Sequence, residues 1–413
     1  MRKATVEDGQ KEQKYLGNRG LIALIALLSA FIPLSTDIYL PALPGMAGSF
    51  NVAEGLISLT LILFFVFYAA GTLFWGPLSD KYGRKPILLA GLIGYTVASI
   101  LCAVAGNVYQ LIAFRVLQAV ASGAATAVAT AIVKDVYSGR RREGVLALVQ
   151  SMAMISPIVA PVLGAFILGF TTWRGVFLVL AGIGMVAVAA ALAFQETAVQ
   201  LYNGGIIKSL SRLGVVAGNP GFIALLATFS IISIPMMAFI SASSYIYIDT
   251  FGLTEQAYSY YFAANAAFSV IGPILYMKLS KRFKSSLIIT VSYVVALVSG
   301  LLICTVGSMR PWMFAISIIP ATLAGSVIRP PSTNLMLEQQ QQDTGAASSL
   351  MGCVFTLMGS IGMAVISLDW QDKITVMGIG YIVIAFVSLV LWSVISKKPF
   401  IRQVSNAPQG HEL

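Results

Sequence analysis

Three ionisable side chains stand inside long apolar runs. Asp37 lies in LSTDIYLPALP (34–44), Arg115 in FRVLQA (114–119) and Arg329 in SVIRPPSTN (326–334). A charge at the centre of a bilayer costs at least ~2.5–3.5 kcal/mol unless it is paired or hydrated. Burial favours a neutral acid and a nearby guanidinium favours the anion. A site that alternates between wet and dry can therefore take up and release a proton. Asp37 fits that role as a proton carrier. It also fits two plainer ones: a fixed ion pair with Arg115, or a solvated carboxylate at the outer interface. Arg115 would tune Asp37 or the field of a pocket, or serve structure alone. Arg329 precedes Pro330 and Pro331, which break the local hydrogen-bond ladder. It either snorkels to the inner face or contributes to a cavity.

The rest of the composition removes most other chemistry. The only histidine is His411, in the C-terminal tail, so histidine catalysis and a His-rich metal site are not expected. Cys102, Cys304 and Cys353 fall in apolar runs, with no CxxC spacing, and are read as small core hydrophobes. There is no P-loop, HExxH or GxSxG motif. No enzyme activity, metal or cofactor is expected; the proton would be the coupling ion.

The elements that must carry these charges are membrane helices. Of 413 residues, 58% are hydrophobic and 10% are charged, against about 25% charged in soluble domains. The apolar runs are about 20 residues long, which suits spanning helices and not barrel strands. Twelve spans are expected: 20–44, 54–77, 87–105, 110–133, 146–169, 173–195, 221–247, 256–277, 286–306, 311–335, 344–367 and 374–396. The fold class is all-α integral membrane, with two pseudo-symmetric six-helix bundles over 20–195 and 221–396. A polar linker at 196–220, bearing Gly204, Gly205, Lys208 and Arg212, divides them. Polar tails occupy 1–19 and 397–413. A signal peptide cleaved near 28–30 would leave an odd span count and discard Asp37, so the first span is kept.

Basic residues set the orientation. With the N-terminus inside, most of the 26 lysines and arginines fall on the cytoplasmic side. They include Arg2, Lys3, Lys11 and Lys14 at one end and Lys397, Lys398 and Arg402 at the other. The opposite side holds only Arg174, Arg310 and Lys373. The net charge of +10 is thus an orientation signal and a match to anionic lipid, not a nucleic-acid patch. Both termini are expected in the cytoplasm, with the chain in the plasma (inner) membrane. At ~1.5 Å per residue, Asp37 is about 9 Å and Arg115 about 8 Å below the outer face. The two can share a level.

The loop GPLSDKYGRKP (76–86) follows span two, and a weaker copy, KLSKRFKSSLII, follows span eight. Gly76 lacks a Cβ and would let a neighbouring helix approach. Asp80 ends span two, poorly placed against its own helix dipole, and needs Arg84 or another helix N-terminus as partner. Gly83 permits a left-handed turn and Pro86 can open span three.

This loop, in this position, resembles the signature of the major facilitator superfamily, and the resemblance covers almost the whole chain. STDIYLPALP, FRVLQA and SPIVAPVLGAF (156–166) further resemble the Bcr/CflA-type drug–proton antiporter branch. The last of these carries Pro157, Pro161 and Gly164 of the helix-five antiporter motif. Ala119 and Ser156 depart from its glycines but are also small. The resemblance implies that Gly76, Asp80, Gly83 and Arg84 gate the cytoplasmic side. It also implies proton coupling through Asp37 and Arg115.

Paired six-helix halves place a site between them near mid-membrane. Met236, Met237, Phe239, Phe262 and Asn265 are candidates for one wall, with Arg329. Tyr39, Gln118, Ser122 and Met152 are candidates for the other. Met and aromatic side chains adapt to varied apolar ligands. Each can equally be helix packing. The expected function is proton-coupled multidrug efflux by alternating access, with a small amphiphilic substrate, protons and lipid as partners, acting as a monomer. The alternatives are a metabolite exporter or proton-driven importer on the same fold, or a non-transporting receptor or scaffold.

Overall fold

The structure is a computed structural model that describes residues 13, 15–198, 201, 206–340, 344–399 and 401. Arg2, Lys3, Lys11, Lys14, Gly204, Gly205, Arg402 and His411 lie outside the described residues, as does the Lys208 side chain. All regular elements among the described residues are helices.

Twelve helical stretches among them are long and apolar enough to cross a bilayer. They are Gly17–Phe50, Glu54–Tyr82, Arg84–Ala103, Val108–Val136, Gly139–Leu168, Trp173–Ala193, Pro220–Thr250, Glu255–Leu279, Ser285–Val306, Pro311–Glu338, Thr344–Ile366 and Lys373–Ile395. Several run a turn or more beyond the limits expected from hydropathy, because polar residues such as Ser79–Tyr82 continue the helix past its apolar part. A further helix, Ile206–Ala217, lies in the linker.

Span one departs most from expectation. It runs to Phe50, with a break after Asp37 and a short 3₁₀ turn at Leu40–Ala42. Pro41 explains the break: it has no N–H to give the Asp37 carbonyl four residues earlier. Span seven breaks in the same way. Helix Pro220–Ser230 ends and Ser233–Tyr245 begins, because Pro235 supplies no N–H to Ile231. The Ile231 carbonyl instead accepts from Ile234 N–H at 3.0 Å. Spans one and seven are the first helices of the two halves, so the breaks repeat with the six-helix unit.

Glycines let neighbours close on both breaks. A Cβ on Gly164 in span five would stand 2.0 Å from the Ile38 carbonyl oxygen. In the other half, a Cβ on Gly362 in span eleven would stand 1.9 Å from the Ile234 carbonyl oxygen.

The apolar core is continuous at one end of the molecule and divided at the other. One cluster joins Ile38–Met46, Leu61, Trp173 and Phe177 of the first half to Phe239, Tyr245–Tyr247, Phe262 and Met363 of the second. At the end bearing GPLSDKYGRKP, each half keeps a core of its own. One centres on Leu88, Val128 and Phe194, the other on Phe222, Leu335 and Trp392. The halves are therefore sealed together at the end opposite the motif and splayed at the motif end.

Candidate functional site

A cavity of about 320 Å³ lies on the seam between the halves. Span one contributes Ile32, Pro33, Thr36 and Asp37, span two Phe65, and span five Met154 and Pro157. Span seven contributes Met236, Met237, Phe239 and Ile240, and span eight Phe262, Asn265 and Ser269. Thr322, Ser326 and Arg329 of span ten and Tyr381 of span twelve complete it. Phe239 and Phe262 stack with ring centroids 5.8 Å apart. Most of the surface is thioether, aliphatic and aromatic, with a few polar groups, as small-molecule sites require.

Of the residues expected to line a pocket, Met236, Met237, Phe239, Phe262, Asn265 and Arg329 do so. Arg329 contributes to the cavity wall, the second of its two expected placements. Tyr39, Gln118, Ser122 and Met152 do not line this cavity. Tyr39 is fully buried, with its hydroxyl on Thr60. Gln118 is buried and donates to Ser99 Oγ at 2.7 Å. Ser122 is buried and donates to the Ala119 carbonyl at 2.8 Å. Met152 is exposed on span five. Met154 and Pro157, three residues apart and so on one helical face, take the wall instead.

Asp37 is buried against this cavity and accepts from Thr36 Oγ1 at 2.9 Å. The fixed ion pair with Arg115, one of the readings open to Asp37 from the sequence, is not made. Arg115 is fully buried, and its Nη1 donates to the Ser35 carbonyl at 3.0 Å and to Gln118 Oε1 at 2.6 Å. Its guanidinium lies 4.3 Å from the Phe64 ring centroid and 4.8 Å from that of Tyr39. Arg115 Nε and Nη2 have no hydrogen-bond partner. The levels agree but the directions do not. Ser35 and Tyr39, four apart, share the face that meets Arg115. Asp37 lies roughly 160–200° round from either at 3.6 residues per turn, facing the cavity with Pro33 and Thr36. The backbone of span one separates the acid from the guanidinium.

The motif loop is a compact charged cluster. Arg84 pairs with Asp80 and Asp135, with Nε to Asp135 Oδ2 at 2.8 Å, and donates to Ser79 Oγ at 2.8 Å. Arg84 is thus the partner Asp80 needed. Gly83 adopts φ +98°, open to glycine and rarely to other residues, and a Cβ there would also strike Glu196 Oε2 at 2.7 Å. Gly76 is not a close-approach site: a Cβ there would meet nothing within 4 Å. It faces a vestibule of about 670 Å³ at the splayed end, shared with Asp80, Arg84, Lys134 and Arg212.

Two features of this kind are absent from the sequence reading. Glu196 accepts from the N–H groups of Arg84 and Lys85 at 2.9 Å each, capping span three from the linker. Burial pushes its carboxyl up, but these bonds and those from Thr197 and Ala198 outweigh it and hold it below its ordinary 4.5. Lys373 pairs with Glu54 across the two halves at the sealed end. A Cβ on the adjacent Gly55 would stand 2.7 Å from the Ser367 carbonyl oxygen. Both acids sit at span ends, where hydropathy carries no signal.

The Major Facilitator Superfamily family model matches residues 25–363. The chain belongs to the major facilitator superfamily. It is 27% identical to an uncharacterized MFS-type transporter, YdgK, of Bacillus subtilis over 387 residues, covering 92% of this chain and 96% of that one. It is also 27% identical over 350 residues to a bicyclomycin resistance protein homolog of Haemophilus influenzae, covering 82% and 87%. Among solved structures, the D-xylose–proton symporter shares its fold, with a TM-score of 0.71 at 10% identity, covering 92% of this chain and 97% of that one. Membership in the major facilitator superfamily makes this a multi-pass membrane transporter of small molecules and not an enzyme. The two-bundle architecture read from the sequence is the superfamily fold.

Proposed function

We propose that this transporter exports amphiphilic drug-like molecules in exchange for protons, with the motif end and both termini in the cytoplasm of a bacterial inner membrane. One observation carries the reading. The cavity between the halves presents Asp37, with no ion-pair partner among the described residues, on a mostly apolar wall of Met, Phe, Ile and Pro side chains with a few polar groups. A lone carboxylate in a membrane interior is costly while charged, and binding a proton removes the charge. A cationic ligand in the same cavity competes with that proton, because either one can neutralise the site.

The splayed motif end lets substrate enter from the cytoplasm or inner leaflet, displacing the proton. Closing the vestibule around Asp80 and Arg84 while parting Glu54 from Lys373 would turn the cavity to the outside. There an outer proton releases the substrate and resets the carrier. Each chain encloses a complete cavity, so a monomer suffices. The name of the Haemophilus relative supports export over uptake.

The reading is tested with purified protein in liposomes holding a pH-sensitive dye. Adding a lipophilic cation on the motif side is expected to drive proton movement in the opposite direction, abolished by a protonophore. Drug movement without any proton movement contradicts it.

A further inference from the structure

Arg329 has no place in the proton exchange, yet it is the one cation among the residues that line the cavity. Its guanidinium has no hydrogen-bond, ion-pair or ring partner among the described residues. It is exposed within span ten, and the surface it reaches there is the cavity. Thr322, Ser326 and Arg329 follow one another at i, i+4 and i+7, so one face of span ten presents two hydroxyls and a cation. Asn265 of span eight adds a second unsatisfied group: it is 5% exposed, lines the same cavity, and its Oδ1 has no partner. Pro330 supplies no N–H to the Ser326 carbonyl, which leaves another acceptor on this wall.

Asp37 does not supply the missing anion. It stands on the N-terminal half, and no ion pair joins it to Arg329. A bare guanidinium inside a span is costly, and its planar fork is shaped to hold a carboxylate bidentately. Nearby acceptors would take an N–H from the same ligand, and the Phe239–Phe262 stack would take an aromatic ring.

We propose that the C-terminal half of the cavity is an anchor for amphiphiles carrying a carboxylate, held by Arg329, with an N–H donor directed to Asn265. The inference rests on the cavity being the substrate site. It adds acids and zwitterions to the substrate class, with the acid end toward span ten and any amine toward Asp37.

The experiment uses the full chain in nanodiscs and titrates N-benzoyl-phenylalanine against its primary amide, which keeps both rings and the benzamide N–H but replaces the charged carboxylate with a neutral carboxamide. Wild type is expected to bind the acid about tenfold more tightly than the amide. Arg329→Gln is expected to weaken acid binding about tenfold, to the level of the amide, and Arg329→Lys to keep part of the preference. Equal binding of acid and amide by wild type overturns the proposal without need of any variant. A preference that survives in Arg329→Gln overturns it too. Proton release driven by a lipophilic cation, measured on the same preparation, separates this from the efflux reading. No acid preference in wild type, with that release intact, refutes the anchor alone. An acid preference with no proton release refutes proton-coupled efflux alone.

Discussion

Gly164 lies so close to Ile38 that a side chain there would stand 2.0 Å from the Ile38 carbonyl oxygen, immediately after Asp37. The contact seats span five on the break that Pro41 makes in span one, beside Asp37. Gly362 against Ile234 does the same in the second half. Gly164→Ala is expected to cost about 1–3 kcal/mol by overpacking, read as a lower Tm, and to reduce transport by reorienting Asp37. Gly76→Ala is the control. With nothing within 4 Å of its Cβ, it should leave Tm within a degree or two. Equal Tm for wild type and Gly164→Ala would count against this packing.

The linker carboxylate gives a pH prediction. Glu196 is held below its ordinary 4.5 by backbone N–H donors that outweigh its burial. A depressed folded value contributes stability that is present above the unfolded value and lost as pH falls through the folded one. Wild type should therefore melt above Glu196→Gln at pH 7. The two should converge as pH drops below 4.5. A gap that stays constant down to pH 3 would mean that the charged cap is not the source.

Lys373 and Glu54 join the halves at the sealed end. Their side chains are 17% and 38% exposed, so the pair is worth roughly 0.2–1 kcal/mol. Lys373→Gln should raise opening of that end by roughly 1.4- to fivefold, seen as faster hydrogen exchange across residues 50–58. Unchanged exchange there, with the fold intact, would assign the seal to apolar packing alone.

Much of this was legible in the sequence, for identifiable reasons. Twelve spans follow from apolar length, and the Asp80–Arg84 cluster from the spacing of GPLSDKYGRKP. The polar level shared by residues 35–39 and Arg115 followed from helix rise. Direction did not. Counting residues gives depth but not which face turns to which neighbour, so a contact between Asp37 and Arg115 stayed open. In fact Ser35 and Tyr39 occupy that face. The same gap misplaced Met152, two residues from Met154, and put Tyr39, Gln118 and Ser122 in a wall when they pack behind it. Glu196 and Glu54 were missed because they act through backbone or cross-half geometry that no linear pattern contains.

Arg329→Gln should also separate substrates in cells. Resistance to acid-bearing amphiphiles is expected to fall about tenfold toward the level of cells lacking the protein, while resistance to lipophilic cations stays near wild type. Equal loss for both kinds would make Arg329 a structural residue.

The central claim is that Asp37 carries the exchanged proton. Its most direct test is proton release from everted vesicles on addition of a lipophilic cation, comparing wild type with Asp37→Asn. The account predicts release from wild type and none from Asp37→Asn, although the variant still binds the cation. Release from Asp37→Asn at the wild-type rate would show that the proton travels on another group.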